Sequence, residues 1–119
     1  MPAGGRTAKD WAPVQSTISA FARACSYDHA NYGASDKAPV PLQSVDEVAG
    51  DLRAWLAASG EKGPFVVVGH SNSCIYSRRF SARYPNEVAG LVFVDSAHEE
   101  QALRLHELDP QGPKPDEMS

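Results

Sequence analysis

A chain of 119 residues is long enough for one domain and too short for several, because domains commonly run to about 100–200 residues. Hydrophobic residues make up 42% of the chain and charged residues 22%, a balance that is ordinary for a globular protein and excludes bulk disorder. The formal charge is −4 and the longest basic cluster is the pair Arg78–Arg79, so we expect no nucleic-acid partner.

The N-terminal residues and the cysteines indicate the cellular compartment. The start of the chain, MPAGGRTAKDW, has no apolar run behind its charges, and no apolar stretch reaches the roughly 18 residues of a membrane span. We therefore expect no membrane partner and a cytoplasmic location. Cys25 and Cys74 lack the spacing of metal ligands and are expected to be reduced, with no metal and no cofactor in the protein.

The first predicted elements are a helix, a short strand and a loop. Apolar residues recur at the spacing of one helical face from Val14 onward, behind Pro13, which predicts a helix over residues 13–23. Residues 24–27 are a short strand candidate. Residues 28–36 are rich in the residue types that form turns, and they are predicted to be a loop.

The next predicted elements are a helix and two strands. Ser44, followed three residues later by Glu47, forms the pattern of a capping box and starts a helix that ends near Gly60. Continuous apolar runs at residues 65–68 and 91–94 are typical of strands covered on both faces. This alternation of strands and helices predicts an α/β fold with a parallel sheet and right-handed crossovers.

The C-terminal part is predicted to contain one more helix and a tail. Residues 99–108 have a helical pattern, whereas residues 109–119 contain prolines, a glycine and charges. We therefore divide the chain into a domain over residues 1–108 and a disordered tail over residues 109–119.

The segment GHSNS at residues 69–73 carries the main chemical signal. It follows an apolar strand directly, and it matches the G-x-S-x-G pattern of a nucleophile elbow except that Ser73 replaces the last glycine. In such a turn the central serine attacks the substrate, and the next backbone N–H stabilises the oxyanion. Ser71 is therefore the candidate nucleophile, and Asn72 is a candidate oxyanion donor.

Four segments of the chain resemble the central part of the α/β-hydrolase fold family, in the same order and at similar spacing: DWAPVQ, YDHANYGASD, GPFVVVGHSNS and ARYPNEVAGLVFVDSAHEEQ. The resemblance runs from the loop before helix A to just after strand six, and so covers nearly the whole chain. It implies a truncated domain with a partial α/β-hydrolase-like parallel sheet of about three strands flanked by helices. The implied reaction is hydrolysis of an ester or similar acyl bond of a small molecule.

The sequence departs from the family pattern in the first loop and in the elbow. His29 and Asn31 stand where the family usually has arginine and glycine, and we expect Asn31 to accept a positive φ. Asp28 is expected to organise backbone N–H groups. Ser73 and Cys74 replace two glycines that let strand and helix approach closely; because both are small, we expect the turn to form and Ser73→Gly to leave the fold intact.

The partners of a serine nucleophile are only partly visible. The resemblance implies a catalytic histidine in a loop after the last strand of the complete fold, which we expect to lie beyond this sequence. Within the chain, Asp95 and His98 are the candidate acid and base, with a structural aspartate and a solvated histidine as the alternatives. His70 is expected to pack beside the elbow. Gly4 or Gly5 supplies the second oxyanion donor, unless this segment is a flexible end.

The resemblance also predicts a gap in the sheet. The family places its third strand between the fourth and the fifth, which correspond to residues 24–27 and 65–68. Unpaired backbone groups at a buried edge are costly, so we expect these two segments to pair directly in a three-stranded βαβαβ unit in any folded copy. For the origin of the gap we favour a fragment whose remaining part is encoded elsewhere or was lost.

Three functions remain open from the sequence. The first is a serine hydrolase that acts through Ser71. The second is a catalytically inactive, truncated family member that binds a small molecule or a protein. The third is a nucleotide-binding α/β domain, which the absence of G-x-G-x-x-G and of G-K-[ST] disfavours.

Overall fold

The computed structural model of the chain describes residues 1–2, 5–39 and 43–114. The elements of this part follow the predicted α/β alternation. In chain order they are a 3₁₀ turn at Ala8–Trp11, α1 at Ala12–Ile18, α2 at Val45–Ala58, β1 at Phe65–His70, α3 at Ser73–Arg83, a 3₁₀ turn at Pro85–Glu87, β2 at Val88–Val94 and α4 at Gln101–Leu108.

Helix α2 begins at the predicted capping box. The Ser44 hydroxyl accepts a hydrogen bond from the Glu47 N–H at 3.2 Å, and the Glu47 carboxylate accepts one from the Ser44 N–H at 2.6 Å. These bonds satisfy N–H groups that a helix start leaves without partners. One face of the helix is buried against α3 and the sheet, through Val48, Ala49, Leu52 and Leu56.

Replacing Ser44 with alanine is expected to lower the free energy of unfolding by about 1 kcal/mol, because the Glu47 N–H loses its acceptor. Urea unfolding of the two proteins measures the difference. Ser59→Ala is the matched control, since Ser59 follows the same helix and its hydroxyl makes no hydrogen bond to the described residues. An equal effect of both substitutions would contradict the role of the cap.

The strands β1 and β2 form a parallel two-stranded sheet in the described part of the chain, with α3 as the crossover between them. The register pairs Val66 with Gly90 and His70 with Val94. One face of the sheet lies on α2 and α3, where Val67 belongs to the buried core. On the opposite face the side chain of Val66 is 61% exposed. The carboxyl ends of both strands therefore meet at one edge, next to the start of α3.

The expected third strand is wrong: residues 24–27 are extended but form no ladder. Side chains hold this segment, since the Tyr27 ring stacks on Trp55 with centroids 5.0 Å apart. The edge of β1 bonds to Met1 instead. The N-terminal amino group of Met1 donates to Val68 C=O at 2.5 Å, and the His70 N–H donates to Met1 C=O at 3.2 Å. Because Met1 satisfies these groups, residues 24–27 cannot pair with them, and the sheet has two strands rather than about three.

Other boundaries differ from the predictions by a few residues. The first helix ends at Ile18, and residues 19–22 continue as turns. Of the predicted tail, residues 115–119 lie outside the described residues. Both cysteines are free. The sequence predicts both as core residues, which is correct for the buried Cys74 and wrong for Cys25, which is exposed. Among the described ranges, no helix combines the length and the apolar character that crossing a membrane requires.

Candidate active site

Ser71 lies in a sharp turn between β1 and α3. Its φ of 55° is in the left-handed region, which few residues other than glycine adopt. Both backbone polar groups of Ser71 are hydrogen-bonded: the Ser71 N–H donates to Val94 C=O at 3.0 Å, and the Ser71 C=O accepts from the N–H groups of Cys74 at 3.0 Å and Ala97 at 3.2 Å. These bonds to the helix and to the segment after β2 hold the strained turn in place.

The first glycine of the elbow allows the close approach of β1 and α3. A Cβ atom at Gly69 would lie 2.6 Å from Ser77 Oγ and 2.7 Å from the Ser73 carbonyl oxygen. Both distances are far below van der Waals contact. The Cys74 thiol, buried at this contact, donates to Gly69 C=O at 3.1 Å. The close approach of β1 and α3 therefore requires glycine at position 69. The structure accommodates side chains at Ser73 and Cys74, the two positions where the family usually has glycine.

The backbone N–H of Asn72 is available to an oxyanion. Asn72 is the N-cap of α3, and no acceptor in the described ranges takes its N–H. The start of a helix carries partial positive charge, which favours a negative oxygen there. Of the two candidates for a second donor, Gly5 is exposed at a φ of 72°, and Gly4 lies outside the described residues. A contribution from either glycine stays a prediction.

The candidate acid and base lie at the same end of the sheet without forming a triad. Asp95 follows β2 directly, is exposed and has a φ of 46°. The His98 side chain is 59% exposed; its Nδ1 accepts from the Glu100 N–H at 3.1 Å and lies 3.7 Å from a Glu99 carboxylate oxygen. Within the described ranges, no hydrogen bond connects the side chains of Asp95, His98 and Ser71. Their catalytic roles stay predictions.

The residue before the nucleophile packs at the elbow as expected. The His70 ring meets the Trp11 ring edge-on, with centroids 6.3 Å apart at an angle of 84°. Trp11 Nε1 is buried and has no hydrogen-bond partner within the described ranges. The first helical turns of the chain thus reach the carboxyl end of β1.

A buried polar cluster beside the elbow escaped the sequence analysis. His29 Nε2 lies 3.0 Å from Ser73 Oγ, and the Ser73 hydroxyl also donates to the Pro2 carbonyl. Ser73 is completely buried. The sequence predicts that Ser73→Gly leaves the fold intact; with these bonds in view we expect the variant to be less stable, because His29 Nε2 and the Pro2 carbonyl would both lose the Ser73 hydroxyl. The only sequence signal was that His29 and Ser73 both depart from the family pattern.

The predicted loop at residues 28–36, which carries His29, forms in the structure. The Asp28 carboxylate accepts the N–H groups of Ala8 at 2.7 Å and Ala34 at 2.8 Å. These backbone hydrogen bonds hold the pKa of Asp28 below its usual value. Asn31 has the expected positive φ, 73°. Burial lowers the pKa of His29, so its ring is neutral at neutral pH.

Three relatives share stretches of this sequence. The chain is 39% identical over 83 residues to an "Uncharacterized vacuolar membrane protein" of Saccharomyces cerevisiae, covering 69% of this chain and 13% of that protein. It is 39% identical over 83 residues to an uncharacterized protein of Schizosaccharomyces pombe, covering 70% and 15%. It is 31% identical over 112 residues to "Probable transporter efuK" of Hormonema carpetanum, covering 91% and 16%. The chain thus spans less than a fifth of the length of each relative.

A family model described as alpha/beta hydrolase fold matches residues 2–116. The match includes every helix and strand of the structure. The parallel pair β1–β2, the crossover through α3 and the sharp turn at Ser71 agree with it. The chain belongs to the α/β hydrolase fold family.

Proposed function

We propose that Ser71 is the nucleophile of an acyl-transfer site that hydrolyses an ester or similar acyl bond of a small molecule. One observation carries the proposal: Ser71 is held at a φ of 55° at the carboxyl end of β1, next to the unused N–H of Asn72. Family membership supports it, because this turn is where the fold keeps its nucleophile.

In this reaction the Ser71 oxygen attacks the acyl carbon and its proton passes to a base. The carbonyl oxygen becomes an oxyanion, which the Asn72 N–H stabilises. Collapse of this intermediate expels the protonated leaving group and forms an acyl-serine, and water then releases the acid. A base contributes about 10²–10⁴ in rate. Because no histidine in the described ranges bonds to Ser71 Oγ, we propose that this chain holds the nucleophile and one oxyanion donor of an incomplete site.

A second candidate function, binding without catalysis, is favoured by the same observation that no histidine in the described ranges bonds to the Ser71 hydroxyl. An unactivated serine hydroxyl is a weak nucleophile. A family member whose Ser71 hydroxyl has no hydrogen-bond partner in the described ranges would bind a small molecule or a protein without reacting with it.

We further propose a cytoplasmic location, which the two free cysteines favour because cytosolic thiols are kept reduced. The Saccharomyces cerevisiae relative, by contrast, is named as a vacuolar membrane protein. Fractionation of cells that express the tagged chain tests the proposal: recovery in the soluble fraction supports it, and recovery with membranes contradicts it.

The isolated chain is expected to hydrolyse p-nitrophenyl acetate no faster than its Ser71→Ala variant, because no histidine in the described ranges bonds to the Ser71 hydroxyl as a base. Initial rates of the two proteins, measured side by side, decide the point. A rate that falls in Ser71→Ala, and that follows a histidine titration lost in His98→Ala, would contradict the prediction. That result would make Ser71, His98 and Asp95 a compact triad.

A fluorophosphonate probe tests the nucleophile itself. The probe phosphonylates an activated serine, and free imidazole in the buffer supplies a base for Ser71 Oγ, which has no histidine bonded to it in the described ranges. We expect imidazole-dependent labelling at Ser71, located by mass spectrometry of peptides and absent from Ser71→Ala. Ser96→Ala is the matched control, since Ser96 is an exposed serine at the same edge of the sheet with its hydroxyl bonded to Ala97 C=O. No labelling of Ser71 with imidazole present would reject the nucleophile and favour the binding function.

A further inference from the structure

Four groups form a continuous hydrogen-bonded chain beneath the elbow. They are the Tyr27 hydroxyl, the His29 ring, the Ser73 hydroxyl and the Pro2 carbonyl. His29, Ser73 and Pro2 are buried, and Tyr27 is partly buried. These hydrogen bonds therefore link the loop before α2, the first turn of α3 and residues 1–2.

The donors and acceptors in this series of hydrogen bonds fix the tautomer of His29. A carbonyl oxygen only accepts hydrogen bonds, so the single hydroxyl proton of Ser73 points to Pro2. The Ser73 oxygen must then accept from His29, which places a proton on Nε2. The ring is neutral, so Nδ1 carries a lone pair. The Tyr27 hydroxyl lies 3.3 Å from this nitrogen and 3.5 Å from Met1 Sδ, and either atom can accept its single proton.

We propose that His29 is a positioning residue. As the Nε2–H tautomer it directs the Ser73 hydroxyl at the Pro2 carbonyl, and it thereby holds the N-terminal segment, residues 1–2, beside the nucleophile elbow. The consequence for catalysis rests on the proposed function, because the segment leads to Gly5, a candidate oxyanion donor. The positioning itself does not depend on catalysis.

The effect of His29 can be read at a single backbone amide. Met1 precedes Pro2, and its carbonyl accepts the His70 N–H at 3.2 Å. If the Ser73 hydroxyl releases Pro2, this neighbouring bond loses its support. Hydrogen exchange of the His70 amide therefore reports whether the segment is held against β1.

The first experiment determines the tautomer in the unchanged protein. Long-range ¹H–¹⁵N spectra at neutral pH distinguish a protonated from an unprotonated ring nitrogen, and the missing signal in His29→Gln assigns the ring. We expect a proton on Nε2 and a bare Nδ1. A proton on Nδ1 alone would overturn the proposal, and this result does not depend on whether any variant folds.

The second experiment is a double-mutant cycle with His29→Leu and Ser73→Ala. Because the two side chains share one bond, we expect their effects on the unfolding equilibrium constant to be non-additive by about tenfold. Each substitution is expected to accelerate exchange of the His70 amide, measured relative to global unfolding.

Ser77→Ala is the matched control in this cycle. Ser77 is equally buried on the same helix, but its hydroxyl donates to the Ser73 backbone carbonyl at 2.7 Å and does not touch His29. We expect its effect to add to that of His29→Leu and to leave His70 exchange unchanged. His29→Gln should restore slow exchange, since the glutamine amide can donate in place of Nε2.

Additive effects of His29→Leu and Ser73→Ala, or unchanged His70 exchange in both variants, would overturn the proposal. These readouts are independent of fluorophosphonate labelling. If Ser71 does not react with the probe, the nucleophile is rejected while the positioning role of His29 can still be supported. If Ser71 reacts but the effects of His29→Leu and Ser73→Ala are additive, the positioning role is rejected and the nucleophile is retained.

Discussion

Replacing Gly69 with alanine is expected to lower the free energy of unfolding by about 3 kcal/mol, the upper end of the usual cost of overpacking. The new Cβ would lie 2.7 Å from the Ser73 carbonyl oxygen and 2.8 Å from its carbonyl carbon. These are backbone atoms in the first turn of α3, so they cannot move away without shifting the helix. Denaturant unfolding of the variant and the parent protein measures the loss.

The matched control is Gly90→Ala, on the neighbouring strand. A Cβ at Gly90 would meet only Val66 Cγ2, at 4.0 Å, which is an ordinary contact. We expect this variant to be at least as stable as the parent protein, since a glycine inside a strand costs about 0.5–1 kcal/mol relative to alanine. Equal losses at Gly69 and Gly90 would show that the close approach of β1 and α3 is not what requires the first glycine of the elbow.

Truncating Phe80 to alanine is expected to cost about 3–5 kcal/mol, the range for removing a buried aromatic ring. Phe80 is completely buried in α3, and its ring lies 5.2 Å from that of Tyr84. It contributes to the core cluster with Ala49, Leu52, Leu56 and Val67, which joins α2 and α3 to the sheet. Calorimetric or denaturant unfolding measures the effect.

Phe21→Ala provides the control with the same change of side chain. Phe21 follows α1 and is 79% exposed, so its truncation should alter stability by less than about 0.5 kcal/mol. If Phe80→Ala were as mild, the core would not be centred on α3, and the placement of the elbow by that helix would need another explanation.

Local patterns predicted the parts of this fold that local interactions form. The capping box of Ser44 and Glu47 needs only residues three positions apart, and the structure confirms it. The apolar runs at residues 65–68 and 91–94 lie within β1 and β2. Residues 24–27, the other strand candidate, pair with no strand in the described part of the chain, because Met1 occupies the edge of β1. A strand is defined by its neighbour, which a single short segment does not specify.

The candidate site likewise has one part that the local sequence predicts and one part that it does not. The elbow could be predicted because its glycine, serine and small residues are consecutive, and its geometry follows from the turn they form. The bond between His29 and Ser73 joins residues 44 positions apart. Each of them taken alone was a tolerated departure from the family pattern, and only their meeting in space gives the departures a shared physical reason.

The left-handed backbone conformation of Ser71 also restricts which residues can replace this serine during evolution. Glycine, asparagine and aspartate tolerate such a φ, so loss of the hydroxyl is the easiest change at this position. Threonine would keep the hydroxyl, but its branched Cβ makes the same φ a severe outlier. A lineage that gives up this serine therefore keeps a stable fold at little cost, whereas one that retains the chemistry has almost no alternative residue to explore.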